Sequence, residues 1–248
     1  MKLFADTHCH TIASGHAYST IKEIAECASQ AGMKIIGMTD HGPSMPGGPH
    51  IYHFGNLRIM PDYIGDVRVL KGVEANIMDY KGALDMPEFV LDKLELVIAG
   101  FHDICLTPGT VEENTSAMIG AMRNPLVDII AHPGNPQYTI DIEKIVDCAI
   151  ETGTLIEINN SSFGNSRKGS AENCKLIAAA AKRKGALLTT GSDSHICFHA
   201  GRFDKVLALF EELQIPEELV VTSHPQKLVD FLNKKGKKIS WSSPVPTV

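Results

Sequence analysis

Short apolar runs rich in β-branched residues recur along the chain at 3–5, 35–38, 67–73, 96–100, 127–131, 154–158 and 187–190. Each has the length and composition of a buried strand. Between them lie amphipathic segments, among them 21–31, 142–151 and 171–184, followed by Gly32, Gly153 and Gly185, which read as helix ends. A strand begins about every 30 residues, the length of a βα unit, and no linker interrupts the rhythm. The pattern predicts a parallel α/β fold in one domain spanning 1–248, and seven units suit a closed TIM-like barrel slightly better than an open sheet.

Three stretches depart from the rhythm. The connection 75–95 is short and contains Gly82 and Pro87, which predicts an irregular crossover. The segment 42–58, GPSMPGGPHIYHFGNLR, is long and turn-rich and reads as a lid-like loop. Past the seventh strand, 203–213 and 225–232 look helical around the apolar piece 219–221, which predicts an eighth, poorer unit.

Composition changes this picture little. With 44% apolar and 21% charged residues the chain is of ordinary globular type, and a core of this size needs no disulfide staples. The six cysteines form no CxxC pair and read as small apolar packing residues of a reduced, cytoplasmic protein. No run approaches the roughly 20 apolar residues of a membrane span, and the N-terminus lacks a secretory pattern. The net charge of −6 argues against a broad nucleic-acid or acidic-membrane surface. Oligomeric state is left open, a homo-oligomer included.

The informative feature is where the 11 histidines fall. His8 and His10 follow the first strand, His41 the second, Glu74 the third, His102 the fourth, His132 the fifth, and Asp193 with His195 the seventh. In parallel α/β folds these strand ends converge on one face, where ligands are placed. His8 and His10 are two apart, so on extended backbone both face one way and Cys9 the other. A lone histidine after a strand is more often a cap or a hydrogen-bonded core residue. Gathering so many imidazoles and two carboxylates without a cation would leave desolvated lone pairs unpaired. The set therefore predicts metal binding, and its donors suit Zn, Mn, Fe or Co better than Mg or Ca.

The motifs DTHCHT (6–11), His16, TDHG (39–42), VEAN (73–76), GFH (100–102), AHPGNP (131–136), EINNSSF (157–163) and GSDSH (191–195) resemble those of a PHP domain, the polymerase and histidinol phosphatase family, and within it the small stand-alone YcdX-type phosphatases. The resemblance runs from Lys2 to about Leu232. It implies a distorted (β/α)7 barrel with three divalent ions, taken as Zn with Mn or Fe as alternatives. By the same resemblance one ion takes His8, His10, Glu74 and Asp193; a second shares Glu74 and adds His102 and His132; a third takes His16, His41 and His195. All nine positions are present. His50, His53, His199 and His224 fall outside the ligand pattern, and His224 reads as a loop residue before the last helix.

Such a cluster carries a net charge of about +3 with a bridging hydroxide, which favours an anionic substrate. Ions a few ångströms apart serve phosphoryl transfer well, with Glu74 and Asp193 as the catalytic carboxylates and no need for a Ser or Cys nucleophile. The expected reaction is hydrolysis of a small phosphomonoester. Arg58 at the end of the lid segment and Arg167 with Lys168 after the sixth strand are candidates to hold the phosphate, and His53 is a candidate substrate contact. Ser170 reads as a helix N-cap rather than a nucleophile. Three alternatives stand beside this reading: a PHP-type exonuclease or phosphodiesterase, an amidohydrolase-type C–N hydrolase, and a non-catalytic metal-bound accessory module.

Overall fold

The seven expected strands all form and pair in parallel in a computed structural model that describes residues 1–164 and 167–242. They are β1 (Ala5–Cys9), β2 (Ile35–Met38), β4 (Val67–Asn76), β5 (Leu96–Gly100), β6 (Ile129–Ile130), β7 (Leu155–Asn159) and β8 (Leu188–Gly191). A two-residue β3 (Tyr63–Ile64) pairs antiparallel with the start of β4. The order β1-β2-β4-β5-β6-β7-β8 follows the chain, so the sheet curls toward a barrel with its first and last strands adjacent. That seam is joined by the Cys9–Ser194 bridge, by the Asp193 N–H donating to the His8 carbonyl at 2.8 Å, and by the Thr7 hydroxyl donating to the Thr190 carbonyl at 3.1 Å.

The helices are α1 (Ile21–Gln30), α2 (Ile51–Asn56), α3 (Glu88–Leu91), α4 (Val111–Met122), α5 (Ile142–Thr152), α6 (Ser170–Lys184), α7 (Asp204–Glu212) and α8 (Pro225–Lys234). Their ends have local causes. Thr20 with Glu23 and Thr110 with Glu113 form capping boxes that satisfy the first free N–H groups of α1 and α4. Gly153 (φ 64°) and Gly185 (φ 79°) take the left-handed conformation that ends α5 and α6.

Several sequence expectations need correction. β1 lies later than 3–5, so His8 stands in the strand rather than after it. β4 runs on to Asn76, which places Glu74 inside it. The crossover 75–95 is irregular as expected, its helix reduced to the single turn α3. The lid-like segment contains α2, whose N-terminus is capped by His50. Residues 219–221 form no eighth strand: they lie in 3-10 turns, with one bridge from Val220 to Leu188. The N-cap of α6 is Gly169, so Ser170 is its first residue and not its cap.

The barrel interior changes character along its axis because alternate residues of a strand share a face. On β4 this face carries Leu70, Gly72 and Glu74; on β7 it carries Leu155, Glu157 and Asn159. The lower part is apolar: Ala5, Ile35, Leu70, Leu96, Ile129 and Leu155 pack on Leu228, Val229 and Leu232 of α8, which closes the bottom. The upper part is polar and almost wholly buried.

A buried carboxyl lies in the lower half. Asp128, just before β6, is fully buried, and its Oδ2 accepts the Val97 N–H at 2.8 Å with the Lys237 ammonium at 3.5 Å. Burial pushes its carboxyl up to about 6, against the pull of Lys237. The folded-state value exceeds the unfolded one, so the stability supplied by the protonated form is lost as the pH rises through about 6. Asp128→Asn should therefore be the more stable protein at neutral pH, by up to about 3 kcal/mol, and should flatten the decline between about pH 4 and pH 6. Denaturant midpoints of both proteins across this range check it; an unchanged slope would remove Asp128 as the cause.

Candidate metal centre

Glu74 reaches the polar mouth from β4 with no exposed surface. Its Oε2 lies 2.8 Å from His41 Nδ1, 3.2 Å from His8 Nε2 and 3.4 Å from His10 Nε2. Its Oε1 lies 2.8 Å from His132 Nε2 and 3.4 Å from His102 Nε2. One carboxylate thus faces two groups of imidazoles with its two oxygens. Burial alone would raise its pKa, but His8, His102 and His41 outweigh that and hold it well below the usual carboxylate range.

Asp193, at φ 54°, divides its oxygens in a similar way. Oδ1 faces His10 (3.3 Å), His195 (3.6 Å) and His8 (3.8 Å). Oδ2 accepts from Arg167 Nη2 at 2.7 Å and from Asn159 Nδ2 at 3.3 Å. The other terminal nitrogen of the Arg167 guanidinium, Nη1, is buried and has no hydrogen-bond partner among the described residues.

The tautomers of the first two histidines follow from their neighbours. His8 Nδ1–H donates to the Glu157 carboxylate at 2.8 Å. His10 Nδ1–H donates to Ser14 Oγ at 3.1 Å, since the Ser14 hydroxyl hydrogen is given to Asp40 Oδ1 at 2.7 Å. Both Nε2 atoms then present lone pairs to each other at 3.0 Å. The same apposition recurs between His16 and His195, whose Nε2 atoms are 3.0 Å apart while His195 Nδ1–H donates to the Asp193 carbonyl at 3.1 Å. Lone pairs so close, above all in the buried His8–His10 pair, are reconciled by a cation or a proton between them.

Unpartnered atoms make the same point. Glu74 Oε2, His41 Nδ1, both ring nitrogens of His102 and His132 Nδ1 are buried without hydrogen bonds. Such atoms are costly unless something binds them. Donor separations of about 3.3 Å equal the edge of a tetrahedron around a Zn ion with bonds of about 2.0–2.1 Å. Three groups have their donor atoms within 4.8 Å of one another: His10, His41 and His195; His8, His10 and Asp193; and His41, Glu74 and His102. The residues present fit divalent metals. Burial, followed by the charge of Arg167, also lowers the His132 pKa to about 4, which keeps that imidazole neutral as a ligand must be.

Above the centre lies a cavity of about 360 Å³ lined by His16, His41, Met45, His102, Ser161, Arg167, Asp193 and His195. Of the four sequence candidates for substrate contact, Arg167 lines it. Arg58 is exposed after α2 and Lys168 is exposed beside Arg167, and neither lines the cavity. His53 points instead to Asp40, its Nε2 3.4 Å from Oδ2. Residues 165–166, just before Arg167, lie outside the described residues. His224 caps α8 by accepting the Gln226 N–H at 3.2 Å.

Two groups escaped the sequence reading. Asp40, in TDHG, accepts from the Thr11 N–H, the Thr11 hydroxyl and Ser14 at 2.7–2.8 Å. Burial opposes its ionisation, but His53 and Ser14 outweigh it and lower its pKa to about 2. Glu157 lies buried between His8 and His132. The available signal was a carboxylate interrupting the apolar run 155–158.

A PHP domain model matches residues 6–103. A probable phosphatase from Acetivibrio thermocellus is 54% identical over 239 residues, covering 96% of this chain and 99% of the relative. A second, from Caldanaerobacter subterraneus subsp. tengcongensis, is 55% identical and covers 98% of each. Among solved structures, histidinol phosphate phosphatase from Lactococcus lactis subsp. lactis, crystallised with Zn, L-histidinol and phosphate, superposes with a TM-score of 0.62 over 87% of this chain and 95% of the other at 15% identity. The parallel barrel, the gathered imidazoles and the near full-length likeness together place this chain in the PHP domain family.

Proposed function

We propose that the protein is a metal-dependent phosphatase that hydrolyses a small phosphomonoester at a centre of three divalent ions. The observation that carries the reading is the Glu74 carboxylate, whose two buried oxygens each face a separate set of imidazoles. The names of the near full-length relatives support phosphoester hydrolysis, and the Zn in the Lactococcus structure supports zinc.

We assign the ions as the sequence suggests: His8, His10, Glu74 and Asp193 for one; Glu74, His102 and His132 for a second; His16, His41 and His195 for a third, with His10 and His41 close enough to neighbouring groups to belong to either. When bound, such ions act as Lewis acids on phosphoryl oxygens and lower the pKa of water, which makes a side-chain nucleophile unnecessary. The chain's own residues then orient and neutralise. Glu74 would offer one oxygen to each of two ions and offset their mutual repulsion. Asp193 would ligate through Oδ1, while its Oδ2 holds Arg167 over the cavity. The free Nη1 of Arg167 is left to donate to a phosphate oxygen, a charge-assisted bond that a guanidinium makes well. Among the described residues Met45 is the one apolar side chain in the lining, which favours a small organic leaving group.

A panel of phosphomonoesters, phosphodiesters and amides assayed with metal-replete protein tests the reaction class. Turnover of monoesters is expected; turnover of diesters or amides alone would replace this reading. Glu74→Gln should lower metal per folded chain from about three towards one, because a neutral amide bridges two dications poorly, and activity should fall much further. A variant that kept all its metal and near-parental turnover would make this carboxylate a mere neighbour of the ions. Arg167→Ala should lower kcat/KM about 10- to 100-fold, the value of a hydrogen bond to a charged group, with metal content unchanged. Arg58→Ala, measured alongside, is expected to stay within about twofold, as surface substitutions do. Equal losses in the two variants would contradict the placement of Arg167 as the phosphate contact.

A further inference from the structure

β7 supplies none of the nine proposed ligands, yet its inward face carries two polar residues that touch three of them. Glu157 Oε1 accepts from His8 Nδ1 at 2.8 Å, and Oε2 accepts the main-chain N–H of His132 at 2.8 Å. Asn159 Nδ2 reaches back to Glu157 Oε2 at 3.0 Å and forward to Asp193 Oδ2 at 3.3 Å. Glu157 is 1% exposed and Asn159 fully buried. The three residues so held come from different strands: β1, the turn after β6, and the turn after β8.

Two of the three also sit where side chains other than glycine are uncommon. His132 has φ 31° and Asp193 φ 54°, and Gln214 is the only other such residue described. Backbone of this kind persists only where its surroundings over-determine it. For His132 the bond that does so is the one to Glu157. Room for the carboxylate is provided across the β7–β8 ladder, where a Cβ on Gly191 would collide with Glu157 Oε1 and His8 Cβ.

We infer that Glu157, with Asn159, is the positioning residue of the metal centre: its one carboxylate fixes the His8 ring with Nε2 toward the ions and locks the His132 turn. This rests on the ligand assignment proposed above. A carboxylate behind a metal-binding imidazole fixes the tautomer and raises the basicity of the ligating nitrogen, and loss of such a partner costs about 10- to 100-fold in metal affinity or activity. Glu157 does this for one ligand through the side chain and for another through the backbone, so both ions that share Glu74 depend on it. The third group, His16, His41 and His195, makes no hydrogen bond to it among the described residues.

The test is Zn²⁺ affinity, measured by chelator competition on the full chain, for the parent, Glu157→Gln and Glu157→Asp. The parent must first bind zinc; a parent that binds none defeats the ligand assignment itself. Given a parent that binds, Glu157→Gln should weaken two ions about 10- to 100-fold and leave the third unchanged, because the amide cannot accept from both His8 and His132 as a carboxylate does. Glu157→Asp keeps the charge and should recover part of the loss. Unchanged affinity in a folded Gln variant would overturn the inference, as would an equal loss in both variants at all ions. If the Gln variant does not fold, ¹⁵N chemical shifts of the zinc-loaded parent decide: His8 should be protonated on Nδ1 and ligated through Nε2, and the opposite arrangement overturns it.

Discussion

A carboxylate deprived of water must find its compensation within the protein, and the upper half of this barrel is organised around that requirement at Glu74. Five imidazoles from the ends of β1, β2, β5 and β6 stand within 3.4 Å of its oxygens. None of them could be there unless the strands ended at the same height, and the parallel register from β1 to β8 ensures this. Neutral imidazoles cannot by themselves compensate the charge; cations between the donors can. The closed apolar floor under α8 keeps water from relieving the site from below.

The fold is legible because strand and helix signals alternate over most of the chain. Where they became weak, the reading moved. The apolar run at 3–5 points to a β1 that begins too early, because Asp6, Thr7 and His8 are polar although they lie on an extended and fully buried strand. Their polarity serves the seam with β8 and the site, so hydrophobicity was the wrong guide there. β6 keeps only two ladder residues because the chain turns at once into the unusual conformation of His132. The short helix α2 within the lid-like segment depends on a histidine cap, a weak sequence signal.

At the site, the histidines and acids could be listed from the sequence because strand ends in parallel folds share one face. What could not be read was division of labour. Which oxygen of Asp193 faces imidazole and which faces Arg167 is a matter of ångströms, and nothing in the spacing distinguishes Arg167 from Arg58 until the loop is folded. Asp40 and Glu157 were hidden for a different reason: each acts through another residue. Ser14 transmits the first to His10, and the His8 ring transmits the second.

The seam between β1 and β8 has a consequence for the order of events in the cell. It joins residues from opposite ends of the chain, as the bond from the Ser192 hydroxyl to the His8 carbonyl, 184 residues apart, illustrates. Closing so long a loop is entropically costly, and among the described residues the seam carries one isolated bridge, Cys9 to Ser194, rather than a ladder. Ions held jointly by His8, His10 and Asp193 would act as a clasp on this seam. A nascent chain displays its first two ligands early, but under the proposed assignment the sites that use Asp193 and His195 are completed only once the last strand is made. The seam would then close and two of the three ion sites would form together.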